Sequence, residues 1–122
     1  MREVAVLGGS AASRDLADEA GADIYPADAF AQAIERSRGP WLLGLPLSAI
    51  FEPHWVEALG AEVAREPATP ARLVSGGLAL TPRPEGWLVP KALALSAAAT
   101  GQQDLQRLAR RSGRRLRILG RG

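Results

Sequence analysis

The chain has 122 residues, enough for one domain with a substantial core, and its 47% apolar and 23% charged content is that of an ordinary globular protein. With no cysteine, disulfides, thiolate catalysis and Cys-based metal sites are excluded, and no apolar run approaches the roughly 18 residues of a membrane-spanning helix. The net charge of +2 conceals an asymmetry: residues 1–106 carry 8 basic and 13 acidic side chains, whereas residues 107–122 carry seven arginines and no acid.

Met1-Arg2-Glu3-Val4 leads straight into a strand-like segment without the apolar stretch of a signal peptide, so a cytoplasmic location is expected. The first strand is expected at Glu3–Leu7, whose continuous apolar run suits a parallel strand covered on both faces. Gly8-Gly9-Ser10 breaks it, Ser10 or Ser13 caps a helix to about Ala20, and Gly21 ends that helix. Ala22–Tyr25 reads as a second strand. Asp28 is placed to cap a helix with Phe30, Ala33, Ile34 and Ser37 along one side and Gly39 as its stop. Trp41–Leu45 is the third strand, and Pro53 falls in the first turn of a helix that buries Val56, Leu59 and Val63 before Pro67. Strand followed by helix, three times over, is the pattern of parallel βαβ units.

Past the linker Glu66–Pro70, strands are expected at Arg72–Thr81 and Gly86–Val89, with Pro82-Arg83-Pro84 forcing a turn or crossover between them. Pro90 opens an alanine-rich helix through Ala99. Thr100-Gly101-Gln102-Gln103 has the form of a capping box for a helix that packs Leu105 and Leu108 inward and ends at Gly113. Leu116–Leu119 is a last strand. The expectation is a single α/β domain over residues 1–122, three-layered and Rossmann-like, with a mostly parallel sheet.

Three blocks resemble bacterial family 2 glycosyltransferases. Arg2–Ser10 followed by Ala17-Asp18-Glu19-Ala20-Gly21-Ala22 is similar to the family's strand, Asp-Gly-(Gly)-Ser turn and helix. Gly39–Leu45 with Glu52–Leu59 resembles the strand leading into the Asp-x-Asp metal motif and the helix after it. Gly86–Leu93, then Asp104-Leu105 through Arg117, resembles the acceptor-side strand and helix and the helix after the Glu-Asp base motif. The resemblance implies a truncated nucleotide-diphosphosugar transferase (GT-A-like) fold whose usual first strand and helix have no counterpart before Met1. A sheet edge left open in that way would invite a homodimer or a protein partner.

The departures from the family bear on chemistry. Leu7 joins directly to Gly8, without the family's acidic residue that helps hold the nucleotide. The Asp-x-Asp position reads Pro46-Leu47-Ser48, which offers a hard divalent cation no carboxylate, so no cofactor is expected. The base position falls at Gln102, and an amide does not accept a proton from a hydroxyl near neutral pH. The candidate residues are therefore Gly8, Gly9, Ser10 and Ser48 for a nucleotide or anion, Trp87 and Gln102 for the acceptor side, and Asp104 as the one carboxylate aligned with the family's base motif. Asp104 also reads as a first-turn acid on the helix dipole. Glu52 reads in the same way, His54 as a solvent-facing helix residue, and Trp41 as core.

Three functions follow. The first is a glycosyltransferase-like pseudoenzyme kept as a nucleotide-sugar-binding or interaction module. The second is an active, metal-independent glycosyltransferase using Ser10, Ser48, Gln102 and Asp104. The third is a basic C-terminal module that binds nucleic acid or an anionic surface; the arginines lack the interleaved aromatics of single-strand binders, which disfavours nucleic acid.

Overall fold

In the computed structural model, which describes residues 2–75 and 85–120, the chain runs β1 (Val4–Gly8), α1 (Ala11–Glu19), β2 (Asp23–Tyr25), α2 (Phe30–Arg36), β3 (Trp41–Leu45), α3 (Trp55–Val63), β4 (Ala71–Ser75), β5 (Gly86–Pro90), α4 (Lys91–Ser96), α5 (Gln102–Ser112) and β6 (Arg115–Leu119). The six strands form one sheet in the order β2-β1-β3-β5-β4-β6. The β1–β2, β1–β3 and β4–β6 pairings are parallel, and β5 runs antiparallel to both of its neighbours. The architecture is thus α/β with a mixed, mostly parallel sheet.

Alternation along the strands builds two cores, one on each face. Val4, Val6, Trp41, Leu43, Leu73, Leu88 and Ile118 face α1 and α3, where they meet Ala17, Trp55 and Leu59. Ala5, Leu7, Leu42, Trp87 and Val89 face the other way, against Phe30 and Ala33 of α2, Ala94 of α4, and Leu105 and Ala109 of α5. Phe51 stacks on Trp55, with ring centroids 4.1 Å apart.

Several local expectations change. Asp28 does not cap α2, whose N-cap position is Ala29 without a side-chain hydrogen bond, and α2 stops at an extended Ser37 rather than at Gly39. Gly39 answers a different demand, because a Cβ there would lie 2.3 Å from the Glu3 carbonyl group. Pro53 sits in a turn two residues ahead of α3. That helix buries Trp55, Leu59 and Glu62, while Val56 is exposed. Buried Glu62 accepts both hydrogen bonds of the Arg114 guanidinium, at 2.9 and 2.8 Å, joining α3 to the turn before β6. The capping pair before α5 is shifted by one residue. Gly101 is the N-cap, and Asp104 takes the place expected of Gln103, accepting from the Thr100 amide and hydroxyl at 2.8 and 3.0 Å. The second half of the expected Arg72–Thr81 strand and Pro82-Arg83-Pro84 lie outside the described residues.

The β3–α3 connection positions the site. It leaves β3 near the middle of the sheet and reaches β6 at the far side, where Phe51 bridges Leu119. Glu52 donates its amide to Ile118 and Gly120 donates to Ile50. The end of β6 is therefore covered, and β2, three residues long, is the other sheet edge. Among the described residues no helix is long and apolar enough to cross a membrane.

Candidate functional site

In open α/β sheets ligands gather outside the carboxyl ends of the parallel strands. At that end here lie Gly8-Gly9-Ser10 after β1, Pro46-Leu47-Ser48 after β3, the incoming end of β5, and the start of α5. A crevice of about 270 Å³ opens between the end of β3, the incoming end of β5 and the start of α5; Gly8, Gly9, Ser10 and Ser48 do not line it. Its walls include Pro46, Glu85, Trp87, Gln102, Gln103 and Gln106, beside Gly44 and Leu45 of β3.

Two glycines shape its floor. Trp87 stands opposite Gly44 across the antiparallel β3–β5 pair, and its indole lies so close that a Cβ on Gly44 would be 2.0 Å from the ring. A Cβ on Gly86 would lie 2.4 Å from the Gly44 carbonyl oxygen. Trp87 is 3% exposed and packs beneath α5. It therefore supports the crevice as part of the core instead of presenting a free face for stacking.

The turn after β1 is tightly engaged. Gly8 and Gly9 have φ of +81° and +93°, in the left-handed region that favours glycine. A Cβ on Gly8 would lie 2.8 Å from the Leu45 carbonyl oxygen. The Ser10 hydroxyl caps α1 by accepting from the Ser13 amide at 3.2 Å, and donates to the Ala49 carbonyl at 2.6 Å. Those bonds hold the β3–α3 connection against α1, and both glycines are buried. Ser48 is exposed in the turn between Pro46 and Ala49.

Gln102 and Asp104 part company. Successive residues on an α-helix are about 100° apart, so positions 102 and 104 point to opposite sides. Gln102 faces the crevice and donates to the Ala27 carbonyl in the connection after β2. Asp104 lines a separate hollow with Thr100, Arg107, Leu108 and Arg111. The Thr100 amide and hydroxyl, then the nearby Arg107 charge, hold its carboxyl below the usual range. Its partners make it a helix-start acid.

Sequence reasoning passed over Gln103, Gln106 and Glu85. The signal for the first two was their spacing, since positions 102, 103 and 106 share one side of a helix. The Gln106 Nε2 is buried without a hydrogen-bond partner among the described residues. Among the described residues Glu85 is the one carboxylate in the crevice's walls, and Arg72 engages both of its oxygens, Nε at 3.0 Å from Oε2. That pairing, with Arg110 and Arg115 nearby, lowers the Glu85 pKa despite partial burial. His54 is exposed at the N-cap position of α3 and makes no capping bond. Among the described residues no group of three or more His, Asp or Glu side chains is gathered as a metal-binding set. Comparison of the chain with protein-family models, with curated proteins and with solved structures finds no match.

Proposed function

We propose that the chain is a glycosyltransferase-like binding module with a nucleotide-diphosphosugar transferase (GT-A-like) fold, one that holds a nucleotide-sugar-type ligand in the carboxyl-end crevice without efficient sugar transfer. The observation that carries this reading is the make-up of the crevice. Positions nominated separately by the resemblance, Pro46, Trp87 and Gln102, meet around one cavity, whose polar walls are three glutamine amides and the Arg72-paired Glu85.

The residues present do not fit the family's divalent cation. Pro46 and Leu47 offer no side-chain ligand, Ser48 offers a neutral hydroxyl, and Glu85 is committed to Arg72. Among the described residues of the crevice no free general base stands ready, because Gln102 is an amide, Glu85 is paired with Arg72, and Asp104 faces away with its carboxylate bound to Thr100. Glutamine side chains each present a donor and an acceptor, a set suited to the hydroxyls of a carbohydrate or ribose.

The test is a thermal-shift and calorimetric screen of nucleoside diphosphates and nucleotide-sugars, with and without Mn²⁺, alongside an assay for sugar release. A ligand present at 100 times its dissociation constant adds about 2.7 kcal/mol to stability, a readily visible shift. The expected outcome is stabilisation that Mn²⁺ leaves unchanged, with no turnover. A Mn²⁺-dependent shift accompanied by turnover would replace this reading with an active transferase, and no shift with any donor would remove the ligand-binding reading.

A further inference from the structure

The sheet face beneath α5 changes character at β5. From β1 to β5 its residues are apolar: Ala5, Leu7, Leu42, Trp87 and Val89. On β4 and β6 the same face carries Arg72, Val74, Arg115 and Arg117, with Arg72 directly beside Arg115 and Val74 beside Arg117 in the parallel register. Leu116 and Ile118, which alternate with these arginines, point to the opposite core. Arg115 and Arg117 are exposed.

Local acids neutralise only part of this cluster. Glu85 is taken by Arg72, Glu62 by Arg114, and Asp104 lies 3.8 Å from Arg107. Among the described residues no ion pair engages Arg110, Arg115 or Arg117. The cluster also adjoins the crevice. Gln106 and Arg110 are four residues apart on α5 and so share one side of the helix. Glu85 lines the crevice while bonding Arg72 of the arginine face, and its carboxyl responds to Arg110 and Arg115.

From this juxtaposition we infer that Arg110, Arg115 and Arg117 hold the diphosphate of the ligand whose uncharged, hydroxyl-bearing part occupies the glutamine-lined crevice, supplying the positive charge that a divalent cation would otherwise provide. The inference rests on the crevice being a ligand site. Guanidinium groups suit the task because their planar N–H pairs match phosphate oxygens, and their charge does not depend on pH in the physiological range. Scale favours a small ligand over a nucleic acid. Polymer binders typically neutralise about 6 to 10 phosphates, three unpaired arginines match one diphosphate, and Trp41, Phe51, Trp55 and Trp87 are buried and give bases no platform.

The experiment is calorimetric titration in EDTA with pyrophosphate, a nucleoside diphosphate and a nucleotide-sugar, on the unaltered chain and on two variants. Arg110→Gln/Arg115→Gln changes exposed side chains, and an unchanged melting temperature verifies its fold. It should lose about tenfold or more in affinity for all three ligands, while Arg115→Lys alone retains most of the pyrophosphate binding and loses part of the gain from bidentate contact. Gln103→Ala/Gln106→Ala should leave pyrophosphate binding unchanged and weaken the nucleotide-sugar. Absence of pyrophosphate binding, or equal affinities in the arginine variant, overturns the inference. Pyrophosphate binding that depends on the arginines, with no added affinity from nucleotide or sugar and no effect of the glutamine variant, overturns the crevice reading and leaves an anion site alone. A single-stranded oligonucleotide that binds more tightly than pyrophosphate, with a salt dependence corresponding to more than about three phosphates, assigns the face to nucleic acid instead.

Discussion

Gly44 and Trp87 illustrate what single residues decide. The two are 43 positions apart in the sequence, and nothing in either neighbourhood announces the other. Trp41–Leu45 is legible as a buried strand from its composition. The need for glycine at its fourth position arises only from the register that sets Gly44 opposite Trp87. Replacing Gly44 with alanine would drive a methyl group into the indole, and the cost expected for such overpacking is about 1–3 kcal/mol, read as a lower urea midpoint with an unchanged denaturant slope. Because the indole supports the crevice, the same variant should also weaken any ligand bound there. By contrast the N-cap of α1 was narrowed in the sequence to Ser10 or Ser13; the structure takes Ser10 and adds its bond to Ala49.

Among the elements, α5 was read correctly at its end and one residue off at its start. Gly113 closes it in the left-handed conformation, as a glycine after an amphipathic run should. At the other end Thr100 pairs with Asp104 in place of Gln103, a shift of one residue within the ±1–2 latitude of helix termini. Which side of the helix faces the crevice follows from the burial of Leu105 and Ala109 against the sheet, which turns Gln102 and Gln106 toward it and Asp104 away. The α3 surface was misjudged for a related reason. Counting Val56 as inward ignored Glu62, whose burial becomes acceptable once Arg114, 52 residues later, supplies two hydrogen bonds. Removing that partner with Arg114→Met should leave a buried carboxylate uncompensated and cost about 2–3 kcal/mol, the lower end for a buried pair because Arg114 is partly exposed. Adding Glu62→Gln should recover part of the loss, and a double-mutant cycle in urea measures it.

For the whole molecule, strand–helix alternation was enough to foresee an α/β domain with a mostly parallel sheet. It was not enough to place β5 antiparallel between β3 and β4, because a proline-rich stretch is compatible with either a hairpin or a crossover. Stability against acid is a global consequence of charges spread over the fold. Arg38 lowers the pKa of Asp23, Arg72 that of Glu85, and the Thr100 donors that of Asp104. A carboxylate with a depressed folded pKa stabilises fully above its unfolded value, about 4, and loses that contribution as pH falls through the lower folded value. The urea midpoint should therefore be flat near neutrality and fall below about pH 4, and Glu85→Gln should make that fall shallower. The crossing of Pro46–Glu52 from β3 to β6 has a consequence for how the protein is made. Ile50, Phe51 and Glu52 pair through the backbone with residues 118–120, and β4 lacks its outer neighbour until β6 exists. On the ribosome, β1 to β3 can emerge and pair early, at about 5–20 residues per second. The seam between the β3–α3 connection and β6 therefore closes only once residues 118–120 have been made, after β1 to β3 have had time to pair.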